Sequence, residues 1–188
     1  MQTATEINTQ PLLQPVPPAG QEDQVEQIFS GIKEHLGFVP DGLRLYGISP
    51  PLLEAFVGNV GYFMGETNLP PELTTMIRYL ISAQAGCQFC IDMNESFLLQ
   101  QGHQLDDVRA ARSNPEKAPL DDKQKILLRL ALKAIDDPEA VNAADLDAAR
   151  KKGWTDRDVF DAVVQAANNR AFNFVLRTFK VETQGVFA

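Results

Sequence analysis

Helix start and stop signals recur along the chain from residue 21 onward, and they constrain the fold more than any other feature. Proline pairs at 50–51 and 70–71 are typical of a first helical turn. Glycines typical of helix ends follow several apolar runs: Gly37, Gly86, Gly102 and Gly153. Within the runs, apolar residues recur three and four positions apart, and no segment alternates as a strand does. The sequence therefore predicts an all-α fold.

These signals bound about seven helices. The predicted ranges are 21–36, 49–65, 69–85, 87–102, 121–137, 142–152 and a long last helix from Thr155 through Phe174. Asp121 with Gln124 resembles a capping box, and Thr155 with Asp158 opens the last helix. A polar stretch at 113–119 separates the carboxy-terminal third. We expect the helices to pack as one orthogonal or bundled domain.

The first 20 residues differ from the rest. They contain several prolines and little that could be buried: Pro11, Pro15, Pro17 and Pro18. Residues 1–20 are predicted to form a flexible arm, either a free tail or an arm over a neighbouring subunit. Residues 21–188 are predicted to form a single domain, with its core at about 69–112, because 188 residues suit one domain.

Charge and composition narrow the classes of partner. The formal net charge of −8 repels phosphate backbones and anionic headgroups, so neither nucleic acid nor a membrane surface is expected as a partner. The amino terminus lacks the basic and apolar regions of a secretory signal, and no apolar run approaches the roughly 20 residues of a spanning helix. We therefore expect a cytoplasmic protein in a reducing compartment.

The two cysteines, Cys87 and Cys90, follow Gly86 at the start of a predicted helix. Unpaired backbone N–H groups and the helix dipole favour a thiolate there, and this spacing lets the sulfurs form a disulfide. A redox pair is the leading interpretation, with a buried inert pair or a metal site as alternatives. Zinc needs four ligands, and the chain has only two histidines besides, so no metal or cofactor is expected.

Residues 69–102, which include PPELTTMIRYLISAQAGCQFCIDMNESFLLQQG, resemble the alkylhydroperoxidase D (AhpD)-like branch of the carboxymuconolactone decarboxylase superfamily. The segments GFVPDGLRLYGISPPLLEAF and GWTDRDVFDAVVQAANNRAFNFV resemble the flanking parts of its peroxidase-related members, so the resemblance spans about 21–180. It implies an all-α AhpD-like domain that assembles into homo-oligomers, as trimers or hexamers with a dimer as the alternative. It also implies thiol-dependent reduction of hydroperoxides or partner disulfides.

The resemblance assigns roles to the cysteines. It makes Cys90 the peroxidatic thiol and Cys87 its resolving partner, whereas electrostatics favours Cys87, which lies nearer the helix start. The relay histidine of the family falls on Asn94 and its glutamate on Thr75. Neither side chain can take a proton near neutrality. Glu72, one turn before Thr75, is a candidate substitute, although such a residue is usually solvated.

Other residues near the motif are interpreted as ordinary structure. Glu95 is predicted to be a solvated surface group, since charged side chains are seldom buried. Aromatic residues at helical spacing, which could also line a substrate pocket, are predicted to be core: Phe63, Tyr79, Phe89, Phe97 and Phe172. Phe174 stands where relatives carry an arginine after the asparagine that matches Asn173.

The leading functional prediction is a peroxiredoxin-type alkylhydroperoxidase that cycles through a Cys87–Cys90 disulfide. Its substrate would be a small hydroperoxide, or a disulfide, and its reductant a thioredoxin-like or dihydrolipoyl donor. Loss of the relay predicts weak activity, because a general base contributes about 100- to 10,000-fold in rate. The alternatives are a non-catalytic oligomeric scaffold or binding protein that retains the fold, and lactone or decarboxylase chemistry like that of the superfamily's founding enzymes.

Overall fold

A computed structural model describes residues 11–181, and this part of the chain consists of helices and loops. The α-helices are α1 Glu22–Leu36, α2 Asp41–Tyr46, α3 Pro50–Gly65, α4 Pro71–Ala85, α5 Gln88–Gln100, α6 Leu105–Ser113, α7 Asp122–Asp136, α8 Ala143–Lys151 and α9 Asp156–Thr178. Short 3₁₀ turns occur at Pro115–Lys117 and Pro138–Ala140. None of the helices in this part has the length and apolar character of a bilayer-crossing helix.

The predicted all-α fold is confirmed. The predicted start and stop signals lie at the observed helix ends, and Gly37 and Gly86 end α1 and α4 in the left-handed conformation. Two helices, α2 and α6, were not predicted. α2 has only 6 residues, and α6 buries only Val108 and Ala111. Both therefore lack the apolar periodicity that identifies a helix in a sequence.

Helix α4 is the centre of the domain. It packs against α5, α7 and α9, and its side chains are buried on nearly every face. Among them, Leu73, Met76, Ile77 and Tyr79 have no measurable exposure. A helix that is buried on nearly every face is enclosed by others, and the cysteines that follow its end at Gly86 are also inside the protein.

Side-chain caps define where the later helices begin. Asp121 and Gln124 form the predicted capping box of α7, and Thr155 and Asp158 form that of α9. Asn142 and Asp145 cap α8 in the same way. Each box satisfies two backbone N–H groups that a helix otherwise leaves unpaired at its first turn. The caps fix the start of α9, and so the register of the face that it presents to α4.

The predicted amino-terminal arm is only partly described. Residues 11–20 are non-helical, and the backbone N–H of Leu12 donates to the carbonyl of Phe179 at 2.9 Å. This bond brings the arm to the end of α9. The rest of the arm, residues 1–10, lies outside the described residues, as do residues 182–188 at the end of the predicted 21–188 domain. The flexibility of the arm stays a prediction.

The end of α9 has an unusual backbone. Among the described residues, Lys180 is the only one other than glycine that has a positive φ, 59°. The N–H of Val181 donates to the carbonyl of Leu176 at 2.9 Å, the bond that closes a helix through a left-handed residue. Glycine suits that position, whereas an L side chain there costs about 1–2 kcal/mol.

Candidate active site

The two cysteines lie where α4 turns into α5. Gly86, at a φ of 64°, makes the turn; Cys87 is the N-cap residue of α5 and Cys90 lies in its first turn. Both are free thiols, and both are buried, with 2% of Cys87 and 0% of Cys90 exposed. The predicted placement at a helix start is therefore confirmed. In this arrangement the backbone N–H of Cys90 faces the Cys87 sulfur and favours its ionised form.

The two sulfurs share a hydrogen bond, and their pKa values move in opposite directions. The Cys90 thiol donates to Cys87, and this bond, with help from Asn173 and the charge of Arg177, lowers the pKa of Cys87 despite its burial. The same bond raises the pKa of Cys90, and burial raises it further. One proton is therefore shared by a pair in which Cys87 ionises first and Cys90 stays a thiol.

A buried polar layer lies beneath the sulfurs, between α4 and α9. Ser82 lies against Cys90 and donates its hydroxyl to the carbonyl of Arg78 at 2.6 Å, and the amide of Asn173 donates to Ser82 Oγ at 3.2 Å. The amide of Asn169 donates to the same oxygen at 3.0 Å and to the carbonyl of Arg78, also at 3.0 Å. These groups hold the sulfurs in a fixed polar environment inside an otherwise apolar core.

The two relay positions come together, but around an arginine. Asn94 donates to the carbonyl of Cys90 at 2.7 Å and accepts from Arg78 Nε at 2.9 Å. Arg78 Nη2 donates to Thr75 Oγ1 at 3.1 Å, and Gln101 donates to the same oxygen at 3.1 Å. Burial lowers the pKa of Arg78 to about 10, which leaves it charged near neutrality. These residues form a hydrogen-bonded support for α5 and provide no proton acceptor.

Glu72 and Glu95 have structural partners. Glu72 accepts a hydrogen bond from Gln124 at 2.6 Å, which ties α4 to α7. The prediction for Glu95 was wrong, because only 8% of this residue is exposed. Its carboxylate accepts hydrogen bonds from Tyr79, Arg109 and Arg112. Three partners compensate the burial of the charge, which is the condition under which a carboxylate can lie in a core.

A cleft of about 240 Å³ opens beside Cys87. It is lined by residues from the start of α5 and the end of α9: Gly86, Cys87, Gln88, Phe89, Arg177, Lys180 and Val181. Arg177 donates a hydrogen bond to the carbonyl of Ala85, at the end of α4. Sequence reasoning did not identify Arg177, Lys180 or Ser82 as site residues, because they reach Cys87 and Cys90 only through the packing of α9 on α4.

The described part of the chain lacks a cluster of side chains that could bind a metal ion. No group of three or more histidine, cysteine, aspartate or glutamate side chains converges among residues 11–181. The groups around the two sulfurs are instead the Asn173 amide, the Ser82 hydroxyl and the Arg177 guanidinium.

The ionisation of Cys87 can be measured directly. We expect the thiolate absorbance at 240 nm to rise with a lower midpoint in the native protein than in the unfolded chain, because the folded environment lowers the pKa of Cys87. Cys90→Ala should raise the midpoint most, since it removes the hydrogen bond that contributes most to the shift, and Asn173→Ala should raise it less. A native midpoint at or above that of the unfolded chain would contradict this assignment.

Comparison with solved structures identifies the fold. An uncharacterized peroxidase-related protein from Silicibacter sp. TM1040 superposes with a TM-score of 0.80 at 24% identity, over 95% of this chain and 93% of that one. A Ralstonia eutropha JMP134 protein, described as an alkylhydroperoxidase AhpD core and a peroxidase-related protein, gives 0.81 at 24% identity, over 98% and 96%. The chain has the AhpD-like fold. The predicted fold is thereby confirmed.

Other proteins with the AhpD-like fold differ in what they are described as doing. The debrominase Bmp8, solved as a cysteine-to-alanine variant with 2,3,4-tribromopyrrole, has a TM-score of 0.66 at 20% identity, over 89% of this chain and 92% of that one. Neither a protein-family model nor a curated protein matches the sequence. The AhpD-like fold thus supplies the scaffold of the site, and the function must be argued from the site itself.

Proposed function

We propose that this protein is a thiol-dependent hydroperoxide reductase that cycles through a Cys87–Cys90 disulfide. The observation that carries the proposal is the pairing of the sulfurs. Cys87 has a lowered pKa and lies in the wall of a cleft. Cys90 is a thiol that is hydrogen-bonded to Cys87. A thiolate at a cleft with a protonated thiol in contact has both a nucleophile and a resolving group.

The cycle balances in three steps. The Cys87 thiolate attacks the terminal peroxide oxygen, the O–O bond breaks, and the organic product leaves as an alcohol after it takes up a proton. Cys87, oxidised by two electrons, is then a sulfenic acid. The Cys90 thiol attacks the oxidised sulfur, and the S–S bond forms as water leaves. A dithiol reductant, thioredoxin-like or dihydrolipoyl, then reduces the disulfide by exchange and is itself oxidised.

The order in which the cysteines react is part of the proposal. The family resemblance makes Cys90 the first to attack, but two features support Cys87. The lowered pKa of Cys87 and the raised pKa of Cys90 place the thiolate on Cys87. Cys87 also lines the cleft. Since the thiolate is the nucleophile, we assign the first step to Cys87 and the resolving step to Cys90.

We expect the reaction to be slower than that of a peroxidase that has a general base at its site. Asn94 and Thr75 cannot accept the thiol proton, and their oxygen atoms are held by Arg78. A general base contributes about 100- to 10,000-fold, so the rate depends on the thiolate fraction that Asn173 and Arg177 help to maintain. The proposal includes assembly as a homo-oligomer and residence in the cytoplasm, the compartment that keeps both thiols reduced.

The decisive experiment follows the thiols of the reduced protein after addition of one equivalent of an organic hydroperoxide. We expect both thiols to disappear together, with an intramolecular disulfide in the peptide map and one equivalent of alcohol released. Protein unfolded in guanidinium serves as the matched control, because its two thiols lack the lowered pKa of Cys87. Native thiols that react no faster than the unfolded ones would refute the proposal and favour the non-catalytic alternative.

A further inference from the structure

The cleft at Cys87 has a charge opposite to that of the whole chain. The formal net charge is −8, yet the charged residues that line the cleft are two cations, Arg177 and Lys180. The remaining lining residues are apolar, polar or glycine. A cationic cleft on an anionic protein attracts anions locally, because the surrounding charge does not extend its field far beyond a Debye length.

Both cations of the cleft are exposed residues. Within residues 11–181, neither Arg177 nor Lys180 forms an ion pair with a carboxylate. One guanidinium nitrogen of Arg177 donates to the carbonyl of Ala85. The guanidinium also lies 4.0 Å from the position that a Cβ on Gly86 would occupy. The guanidinium is therefore positioned at the cysteine turn, and it has more N–H groups than this one bond uses.

The backbone of Lys180 is a second observation. The residue keeps a left-handed conformation, with a φ of 59°, at a helix-closing position that suits glycine. Strained residues are retained where the surrounding structure holds them, and they cluster at functional sites. Here the strained turn places Lys180 in the lining of the same cleft that contains Cys87. A glycine would close the helix equally well but would remove the charge.

We propose that this cleft is a carboxylate subsite and that the preferred substrates are small hydroperoxides that carry a carboxylate. This inference rests on the proposed function and names its substrate class. Arg177 and Lys180 bind the carboxylate, and Phe89 and Val181 contact the apolar part of the molecule. The cleft volume of about 240 Å³ is below the roughly 300–1,000 Å³ of pockets for drug-sized ligands, so the substrate is small. The bound carboxylate holds the peroxide beside Cys87.

The test compares two hydroperoxides of the same shape, cumene hydroperoxide and its 4-carboxy derivative. Stopped-flow oxidation of the reduced protein gives a second-order rate constant for each. We expect the carboxylate to react at least tenfold faster in native protein. The ratio of the two rate constants should fall toward one in Arg177→Gln and in Lys180→Gly. Glycine is chosen at position 180 because it suits the left-handed backbone there. Any change in the pKa of Cys87 affects both substrates and cancels in the ratio.

Lys152→Gln is the matched control, because Lys152 is an exposed lysine at the end of α8. It should leave the ratio unchanged. Raising the salt concentration should lower the ratio in native protein and leave the Arg177→Gln ratio nearly constant. A ratio of one or less in native protein, or a ratio unchanged in both cleft variants, overturns the inference. So does a result in which these variants alter only the rate with the reductant.

A binding measurement separates this inference from the proposed function. The probe is 4-isopropylbenzoate, which has the carboxylate and no peroxide. It should protect Cys87 from iodoacetamide in native protein and not in Arg177→Gln. If neither hydroperoxide oxidises the thiols but the probe protects, the proposed function fails and the subsite stands. Absence of protection in native protein overturns the subsite, whatever the peroxidase result.

Discussion

Cys87→Ser is expected to abolish hydroperoxide consumption, with a loss of at least about 1,000-fold in the second-order rate constant. Serine keeps the size and hydrogen bonding of the side chain, but its hydroxyl does not ionise near neutrality as a thiol with a lowered pKa does. Burial of Cys90, which also raises the pKa of its thiol, remains in this variant and limits its ability to take over the attack. The measurement is peroxide consumption under single-turnover conditions with excess protein.

Cys90→Ser provides the matched comparison. This variant should still consume one equivalent of hydroperoxide, because the Cys87 thiolate is present, and then stop. A sulfenic acid trapped by dimedone on Cys87 would identify the attacking sulfur. The opposite pattern, with a sulfenic acid on Cys90 in Cys87→Ser, would reverse the assignment and restore the order that the family resemblance implies.

Glu95→Ala is expected to lower the free energy of unfolding by about 3 kcal/mol. The substitution removes the acceptor for the fully buried Tyr79 hydroxyl and leaves Arg112 without its carboxylate. For a chain of this size, that corresponds to a fall in melting temperature of about 6–12 °C. Glu116→Ala is the control, since the Glu116–Arg129 pair is half exposed and should contribute less than about 1 kcal/mol.

The effect of Glu95→Ala should depend on pH in a defined direction. Burial opposes ionisation of Glu95, but hydrogen bonds from Arg109 and Tyr79 and the arginine charges outweigh it and hold its pKa below the usual value. Such a carboxylate stabilises the folded state above the unfolded pKa of about 4.3, and the contribution is lost as pH falls through the folded pKa. The difference in unfolding free energy between native and variant protein should therefore narrow below about pH 4. A difference that widens there would contradict the ion network.

Local signals were enough to predict the helices around the site. Gly86 after an apolar run, followed directly by Cys87, predicts a helix end and a new helix start, and the structure has both. The reason is that caps and positive-φ glycines act within a few residues of the sequence. The resemblance in residues 69–102 also predicted which all-α fold the domain has, the AhpD-like one. It could do so because that spacing of glycine and cysteines is more specific than composition.

The surroundings of the sulfurs could not be predicted in the same way. Arg177 reaches the cysteine turn because α9 packs on α4, and the sequence of α9 does not show which of its faces does so. Glu95 illustrates a related failure. Its partners Arg109 and Arg112 lie on α6, a helix that the sequence did not predict. Without these partners, the carboxylate was predicted to be solvent-exposed. One missed helix led to the wrong prediction for a residue on another.

The polar layer of Ser82, Asn169 and Asn173 has a consequence for redox poise. Hydrogen bonds from Asn173, a member of this layer, and from the Cys90 thiol stabilise a thiolate on Cys87, and a disulfide would retain little of that stabilisation. By linkage, folding then favours the dithiol over the disulfide. The folded protein should have a higher reduction potential than the same cysteines in the unfolded chain, and its disulfide should pass oxidising equivalents readily to a dithiol partner.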